Sequence, residues 1–421
     1  MKYSVDLLVQ SQELIALARG ASVAFDVVGD NWRRRVRFTD GDLHADEFVS
    51  HGGCNHHDSP PDFALRATNE VWDELTRSDP APGQQSVIHL VRTGTISLTG
   101  DSIAYVRHMH LVRAAIEALR GDRPTDFVPC RPLKARGEYH RVSSAVGTAD
   151  VHVERCGGGP PIIALATAGS ASTQWHGLMT ESDLTDRFEL ITVDLPWHGS
   201  SSPTFGTAVG DWMLTPETYS QFIADTVRAI GGPAPVLLGV SMAGAAVVHA
   251  VSTYPQYFAG AVACQAGPRV RNRSVPQLRA TDIDQTHFVP EWTYGLMNPA
   301  SPAEFRKRVW WGYSSGGHGL YVADIESYQQ WDVDPVRNLL RPSSPHIAVL
   351  SGSYDTTVPP EASRRLAEAI PNSSFCEMPE LGHFPHAENP ARFADYLEPA
   401  LKRVLAHTLT PPDPAVDTRA R

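Results

Sequence analysis

The sequence predicts an α/β protein. Residues 141–406 read as a mostly parallel sheet with helices on both faces and an inserted helical cap, and residues 1–120 as a smaller α+β domain. Three observations lead there. The stretch Pro235-Val-Leu-Leu-Gly-Val-Ser-Met-Ala-Gly-Ala-Ala-Val-Val-His249 reads as buried strand, sharp turn, serine and helix. Around it, short apolar runs alternate with helix-period segments, the order that parallel strands joined by crossover helices require. Residues 267–335 then break that alternation with a stretch rich in large aromatics.

Composition narrows the function. A chain of 421 residues has room for two or three domains, and 42% hydrophobic with 20% charged residues is the balance of a globular protein. A net charge of −11 without a long basic run excludes a nucleic-acid partner, which needs clustered Lys and Arg. The one basic cluster, Arg33 to Arg37, is expected as the wet face of a strand. Cys54, Cys130, Cys156, Cys264 and Cys376 are scattered and odd in number, which fits a reducing, cytoplasmic setting better than a disulfide framework. The first ten residues lack an apolar core and cleavage site, and no run of about 18 apolar residues exists, so neither a signal peptide nor a membrane span is expected.

In the first domain, Val5, Leu8, Val9, Leu14, Ile15 and Leu17 give helix periodicity over residues 3–19, ended by Gly20. Val23 to Val28 and Arg34 to Phe38 read as strands around the turn Gly29-Asp-Asn31. Phe63 to Ala67 is a further strand, followed by a helix from Thr68 with Trp72 and Leu75 inward. Ser86 to Val91 and Gly94 to Leu98 read as two more strands, and Gly100-Asp101 opens a helix through Ile103, Val106, Leu111, Ile116 and Leu119. This order resembles the sterol-carrier-protein-2 family over roughly residues 15–120. The resemblance rests on the strand-turn-strand opening, on Phe63-Ala-Leu-Arg-Ala-Thr-Asn-Glu-Val-Trp-Asp-Glu-Leu75, and on Gly94-Thr-Ile-Ser-Leu-Thr-Gly-Asp101 with its helix. It implies an apolar tunnel and a role in substrate delivery. A packing or dimerisation domain of the same fold, making the protein a homodimer, is the alternative, because fold does not fix function. His51, Cys54, His56 and His57 are metal-ligand types, but their spacing fits no zinc module and the glycines between them suggest a solvated loop, so no metal is expected. Residues 121–140, with three prolines and no periodicity, read as a linker.

The second domain opens with strands at Val151–Val153 and Ile162–Leu165 around the turn Gly157-Gly-Gly-Pro-Pro161. Ala166-Thr-Ala-Gly-Ser-Ala-Ser-Thr-Gln-Trp175 follows as a small-residue loop. Phe188 to Val193 is the next strand and runs into Asp194-Leu-Pro-Trp-His-Gly-Ser-Ser201. Thr218 to Ile230 is a helix, closed by Gly231-Gly232. After Val236–Gly239 the turn places Ser241 between Gly239 and Ala243, small residues that a sharp strand-to-helix turn demands on both sides. Ile347 to Leu350 is a strand followed by Ser351-Gly-Ser-Tyr-Asp-Thr-Thr-Val-Pro359, and Leu381-Gly-His-Phe-Pro-His-Ala-Glu-Asn-Pro390 comes later, after a helix (Glu361–Ala369) and a strand (Ser374–Glu377).

These loops together resemble the α/β-hydrolase family. Gly239 to Ala243 is similar to its nucleophile elbow, G-x-S-x-G, with Ala243 where the second glycine is usual. The loop after Leu165 has Ala166-Thr167 where His-Gly is usual, while Gly169, Ser170, Ser172 and Trp175 match. The Asp194 turn is close to D-x-P-G-x-G-x-S with Trp197 replacing a glycine; Asp194 and Gly199 shape a loop there, and His198 is not a catalytic candidate. The resemblance implies Ser241 as nucleophile, His383 as base with His386 as fallback, Asp355 as the acid that orients the base, and the backbone N–H groups of Ala168 and Met242 as the oxyanion hole. The chain order Ser241, Asp355, His383 is the order this fold requires.

The gap from Ser241 to Asp355 is longer than one helix and strand need, and residues 267–335 are assigned to a cap. Its Trp292, Trp310, Trp311 and Tyr313 are the candidate contacts to an apolar substrate, although any one of them could instead pack the cap's own core. Gly316-Gly317 and Gly319 suggest a hinge. The expected activity is hydrolysis of a carboxylic ester or lactone of a hydrophobic small molecule through an acyl-enzyme, with no cofactor. A serine nucleophile argues against the dehalogenase and epoxide-hydrolase branches. Carbon–carbon hydrolysis of a diketone would use the same triad, and a lipid-binding protein with an inert hydrolase fold is the non-enzymatic alternative. The proline-rich end, residues 407–421, is expected to be disordered.

Overall fold

The computed structural model of the chain describes residues 5–45, 59–121, 129–271 and 275–408. His51, Cys54, His56 and His57 lie outside the described residues, as do most of the expected tail and the start of the linker. The chain divides into two compact units, Met1–Phe127 with Ala280–Ser314, and Val128–Arg279 with Ser315–Arg421.

In the first unit, β1 (Val23–Val28), β2 (Arg33–Thr39), β3 (Asp42–Ala45), β4 (Phe63–Arg66) and β5 (Ser97–Gly100) form one sheet in the order β3-β2-β1-β4-β5. All neighbours are antiparallel except β1 and β4. Phe25 and Phe63 stack across that parallel pair at 5.1 Å, and Tyr105 meets Phe63 edge-on at 5.5 Å. The helix Ser102–Arg120 starts where expected: the Asp101 carboxylate accepts from the N–H groups of Ile103 and Ala104, and Gly121, at φ 81°, closes it.

Three local expectations are corrected. Residues 87–92 form a helix, not a strand: the Ser86 hydroxyl accepts the His89 N–H at 3.2 Å, and that cap with inward Val87, Ile88 and Leu90 outweighs the β-branched side chains. The N-terminal helix is two short ones, Val5–Val9 and Gln12–Leu17, because Ser11 starts a new helix by accepting from Leu14. Arg34 and Arg35 are buried rather than wet; Arg35 faces Asp26 in register across the β1–β2 pair and binds its carboxylate at 2.8 Å.

The helices Gln285–Tyr294 and Ala303–Ser314, from the middle of the stretch assigned to a cap, belong to this first unit. Buried charge explains why. The Ser102–Arg120 helix carries Arg113 and Glu117 inside the unit, and a buried charge needs a partner. Arg113 holds Glu291 through two hydrogen bonds of 2.9 and 3.0 Å, and Arg306 holds Glu117 at 2.7 Å and the Tyr294 hydroxyl at 2.8 Å.

The second unit is built on β6 (Arg136–Ser144), β7 (Gly147–Gly157), β8 (Pro161–Leu165), β9 (Glu189–Val193), β10 (Val236–Val240), β11 (Gly260–Cys264), β12 (His346–Gly352) and β13 (Ser373–Met378), in the order β13-β12-β11-β10-β8-β9-β7-β6. The strands from β13 to β9 run parallel, and the β6–β7 hairpin is antiparallel at one edge. Strand β6 starts inside the stretch expected as linker. It is an exposed edge strand paired by charge, Arg155 with Glu138 and Arg141 with Asp150, so it has no apolar period to reveal it. In the parallel part, successive residues face opposite sides. Ile163, Leu237, Ala261 and Ile347 join one core with the helices Pro216–Ile230 and Met242–Thr253; Ile162, Leu238, Val262 and Ala348 join the other with His176–Glu181 and Pro390–Thr408. The chain runs from β8 outward to β9, then back to β10 on the other side of β8. The carboxyl ends of β8 and β10 therefore flank a reversal of strand order, where open α/β sheets bind ligands.

Candidate active site

Ser241 follows β10 directly, at φ 61° and ψ −120°, a backbone region that side chains rarely adopt and that costs about 1–3 kcal/mol. The turn is tight enough that a Cβ on Gly239 would collide with the Ala243 carbonyl. Ala243 itself fits, fully buried. The close approach to β11 falls one residue later, at Gly244, where a Cβ would strike the Cys264 carbonyl. That explains how this elbow accommodates alanine at the earlier position. Ser241 also donates its N–H to the Cys264 carbonyl at 2.9 Å, which ties the turn to the next strand.

The Ser241 Oγ lies 2.9 Å from His383 Nε2, and His383 Nδ1 lies 2.6 Å from Asp355 Oδ2. All three residues are at most 5% exposed. The other carboxylate oxygen, Oδ1, accepts from the Thr357 N–H (2.7 Å), the Thr357 hydroxyl (2.6 Å) and the Val358 N–H (3.0 Å). Asp355 thus has one oxygen fixed by its own loop and the other turned to the imidazole. The histidine loop is held by Glu388, whose buried carboxylate accepts the Gly382 N–H at 2.6 Å. His386, the fallback base, is elsewhere: its Nε2 faces the Gln174 side-chain oxygen at 3.4 Å, its ring lies against Trp175, and burial pushes its pKa down to about 3.

Met242 is the first residue of the helix Met242–Thr253, so its N–H has no partner within the helix and points with the positive end of the helix dipole. The Ala168 N–H makes no hydrogen bond to another described residue. The next residue, Gly169, is pinned by its N–H to Asp324 Oδ2 at 2.7 Å. Asp324, from the helix Leu320–Tyr328, is fully buried and also accepts from the Trp212 indole at 2.8 Å and faces His198 Nε2 at 3.0 Å. Burial by itself would lower the His198 pKa, yet the pull of the Asp324 carboxylate leaves it raised. His198 is therefore the partner of a buried carboxylate that braces the loop after β8. Asp194 braces the same loop from the other side by accepting the Ser172 N–H at 2.7 Å. It also accepts the Ser200 N–H at 2.9 Å and faces His152 at 3.1 Å. Thr167, where glycine is usual, is anchored by the Gln174 side chain through its N–H and its hydroxyl.

Ser241, Asp355, His383, Ala168 and Met242 all belong to the second unit, where the first three form one hydrogen-bonded line; Trp292, Trp310, Trp311 and Tyr313 belong to the first. Trp292 stacks on Phe288 beneath Arg92, Trp310 donates its indole N–H to Glu291 at 2.7 Å, Tyr313 is buried, and Trp311 is 61% exposed. Thr357, Asp324 and Gln174 escaped the reading of the sequence. Two of them left a faint mark: a threonine two residues after an aspartate, and a carboxylate set among apolar residues in Leu320-Tyr-Val-Ala-Asp-Ile325. Among the described residues no three His, Cys, Asp or Glu side chains are grouped as metal ligands, and no helix is long and apolar enough to cross a membrane.

A pimeloyl-[acyl-carrier protein] methyl ester esterase of Aeromonas hydrophila is 24% identical over 262 residues, which span 59% of this chain and 98% of that one. Among solved structures, an esterase of Thermogutta terrifontis superposes with a TM-score of 0.55 at 23% identity, over 64% of this chain and 99% of that one. The enol-lactonase of Burkholderia xenovorans does so with a TM-score of 0.53 at 17% identity, over 63% and 100%. Each superposition carries the fold alone. The model of the alpha/beta hydrolase family matches residues 151–396, more than half of the chain, and with the sheet order and the elbow already described the chain belongs to that family.

Proposed function

We propose that the chain is a serine hydrolase that cleaves a carboxylic ester or lactone of a hydrophobic small molecule through an acyl-enzyme. The hydrogen-bonded line from Ser241 through His383 to Asp355 carries this reading. His383 Nε2 takes the Ser241 proton as Oγ attacks the carbonyl carbon, and returns it to the leaving oxygen. Asp355 keeps the Nδ1 proton in place and stabilises the imidazolium. The N–H groups of Met242 and Ala168 receive the oxyanion, a contribution of about 3–4 kcal/mol for each donor in comparable sites. Water then attacks the acyl-enzyme with His383 as base. That a relative named as a methyl ester esterase matches this chain over 98% of its own length supports the ester class.

The first unit is read as a module of the sterol-carrier-protein-2 kind, on its strand order and its long helix. It holds a cavity of about 360 Å³ lined by Leu7 and Tyr294 but also by Glu13, Glu117, Arg306 and Lys307. An acyl chain there would lie against charged side chains, of which Glu117 and Arg306 are buried, so a packing role is better supported than lipid delivery. Of the four aromatic candidates, Trp292 and Trp310 have partners within their own unit and Tyr313 is buried, so Trp311, the exposed one, is the first to test as a substrate contact.

The test is labelling by a fluorophosphonate probe together with turnover of p-nitrophenyl acetate and of a diketone. Adduct formation at Ser241, its loss in Ser241→Ala, and ester turnover without diketone cleavage are expected. No adduct would leave the fold standing and remove the enzyme.

A further inference from the structure

Gln265 stands one residue beyond β11, is fully buried, and has φ 53°. A long polar side chain in that position is unexpected next to the apolar run Val262-Ala-Cys264, and both ends of its amide are used. Its Nε2 donates to the Gly382 carbonyl at 2.5 Å. Its Oε1 accepts the Gly352 N–H at 3.1 Å and the Ser351 hydroxyl at 3.3 Å. Gly382 immediately precedes His383. Gly352 is the residue whose carbonyl accepts the Asp355 N–H at 3.2 Å. The backbone N–H of Gln265 is fixed on the Leu350 carbonyl at 3.0 Å, and the carbonyl just before it, that of Cys264, holds the Ser241 N–H at 2.9 Å.

We propose that Gln265 is the positioning residue of this site: its carboxamide ties the loop that carries Asp355 to the loop that carries His383, and its backbone segment ties both to the Ser241 turn. The proposal rests on the serine-hydrolase reading. The chemistry of the two anchors selects the side chain. Gly382 offers a carbonyl and Gly352 an N–H, so the bridge must donate at one end and accept at the other, which a carboxamide does and a carboxylate does not. The two loops are already in backbone contact here, because a Cβ on Gly352 would collide with the carbonyls of Leu381 and Gly382. A side chain at position 352 cannot fill that contact, and the bridge comes from the residue after β11. The unfavourable φ of Gln265 is the local cost of aiming its side chain between them. Because Gln265 touches neither the substrate carbonyl nor any reacting atom, its loss acts through the relative placement of imidazole, carboxylate and hydroxyl. A displacement of that kind lowers the chemical step by about 10- to 100-fold and leaves substrate binding in place.

The experiment compares the full-length protein with Gln265→Met, which keeps length and burial but removes the amide, and with Val404→Ala, a buried truncation in the helix Pro390–Thr408 that lowers stability without touching these loops. The rate of fluorophosphonate labelling at Ser241, kcat and KM on an ester substrate, and the downfield proton resonance of His383 Nδ1–H are recorded, with the melting temperature of each variant. The expected result is slower labelling and kcat by about 10- to 100-fold in Gln265→Met with KM within about twofold, and loss or upfield movement of the Nδ1–H resonance, while Val404→Ala labels at the wild-type rate. If Gln265→Met does not fold, Gln265→Leu, which also removes both ends of the amide and nearly keeps the buried volume, carries the same expectation. Labelling of Gln265→Met or Gln265→Leu at the wild-type rate overturns the role of Gln265 and leaves the serine-hydrolase reading intact. A wild-type protein that does not label overturns both.

Discussion

Asp355→Asn tests the chemistry at its most exposed joint. Asn is isosteric, so the question is how its amide would lie. Oδ1 of Asp355 is held by three donors, the Thr357 N–H and hydroxyl and the Val358 N–H, at 2.6 to 3.0 Å. An asparagine keeps its oxygen there, because turning the amide over would set an NH2 group against two N–H groups. Its nitrogen must then replace Oδ2 and face His383 Nδ1, now 2.6 Å from the carboxylate. Two donors cannot share that gap. The imidazole yields by moving its proton to Nε2, where it points at the Ser241 oxygen 2.9 Å away, and the ring can no longer accept the serine proton. Loss of the base by the wrong tautomer costs about 10⁴-fold in kcat in serine enzymes, equivalent to about 5.5 kcal/mol. KM should change little, since nothing that holds substrate is altered. Stopped-flow or burst measurement of acylation with p-nitrophenyl acetate, with the labelling rate as a second reading, gives the number. A variant within about tenfold of wild type, correctly folded, would refute the argument that Asp355 sets the His383 tautomer.

Other outcomes follow from the packing. Gly239→Ala drives a Cβ into the Ala243 backbone and should cost about 1–3 kcal/mol or prevent folding, whereas Ala243→Gly, which removes a fitted methyl from a helix start, should cost about 0.5–1 kcal/mol; urea midpoints compare them. Arg113→Met leaves the fully buried Glu291 carboxylate without its cation and should destabilise the first unit by about 3–5 kcal/mol, while loss of the exposed Arg141 leaves the melting temperature unchanged. His386 has its pKa pushed down by burial to about 3, against about 6.5 in an unfolded chain, so the unfolded state binds the extra proton between those values and stability falls as pH falls. The loss from this group is about 2 kcal/mol between pH 6.5 and pH 5, and His386→Gln should flatten that part of the urea-midpoint profile; an unchanged profile would show that the ring is not neutral in the fold.

Local chemistry made the strand-and-helix order of the second unit readable. A parallel strand buried on both faces must be a short apolar run, as Ile162–Leu165, Val236–Gly239 and Ile347–Leu350 are. A strained turn must be lined by small residues, as Gly239 and Ala243 line Ser241, so the elbow announces itself. The same reasoning failed at β6 and at Val87–Arg92. An edge strand paired by exposed charges has no apolar period, and a helix set by one serine cap reads as β-branched sequence.

Side chains whose partners are distant in the chain were legible only in the fold. Nothing near Asp324 in sequence shows that it faces His198 and pins Gly169, and nothing near Gln265 shows Gly352 and Gly382. The stretch 267–335 could be recognised as an interruption from its composition. That residues 280–314 belong with the N-terminal unit was decided by buried ion pairs, Arg113 with Glu291 and Arg306 with Glu117, which link positions 178 and 189 residues apart. Sequence pattern records what each segment must hide from water. Which charge neutralises which is a property of three-dimensional proximity, because a buried ion is stabilised by whatever partner the folded chain brings within hydrogen-bond reach, however far away in sequence that partner lies.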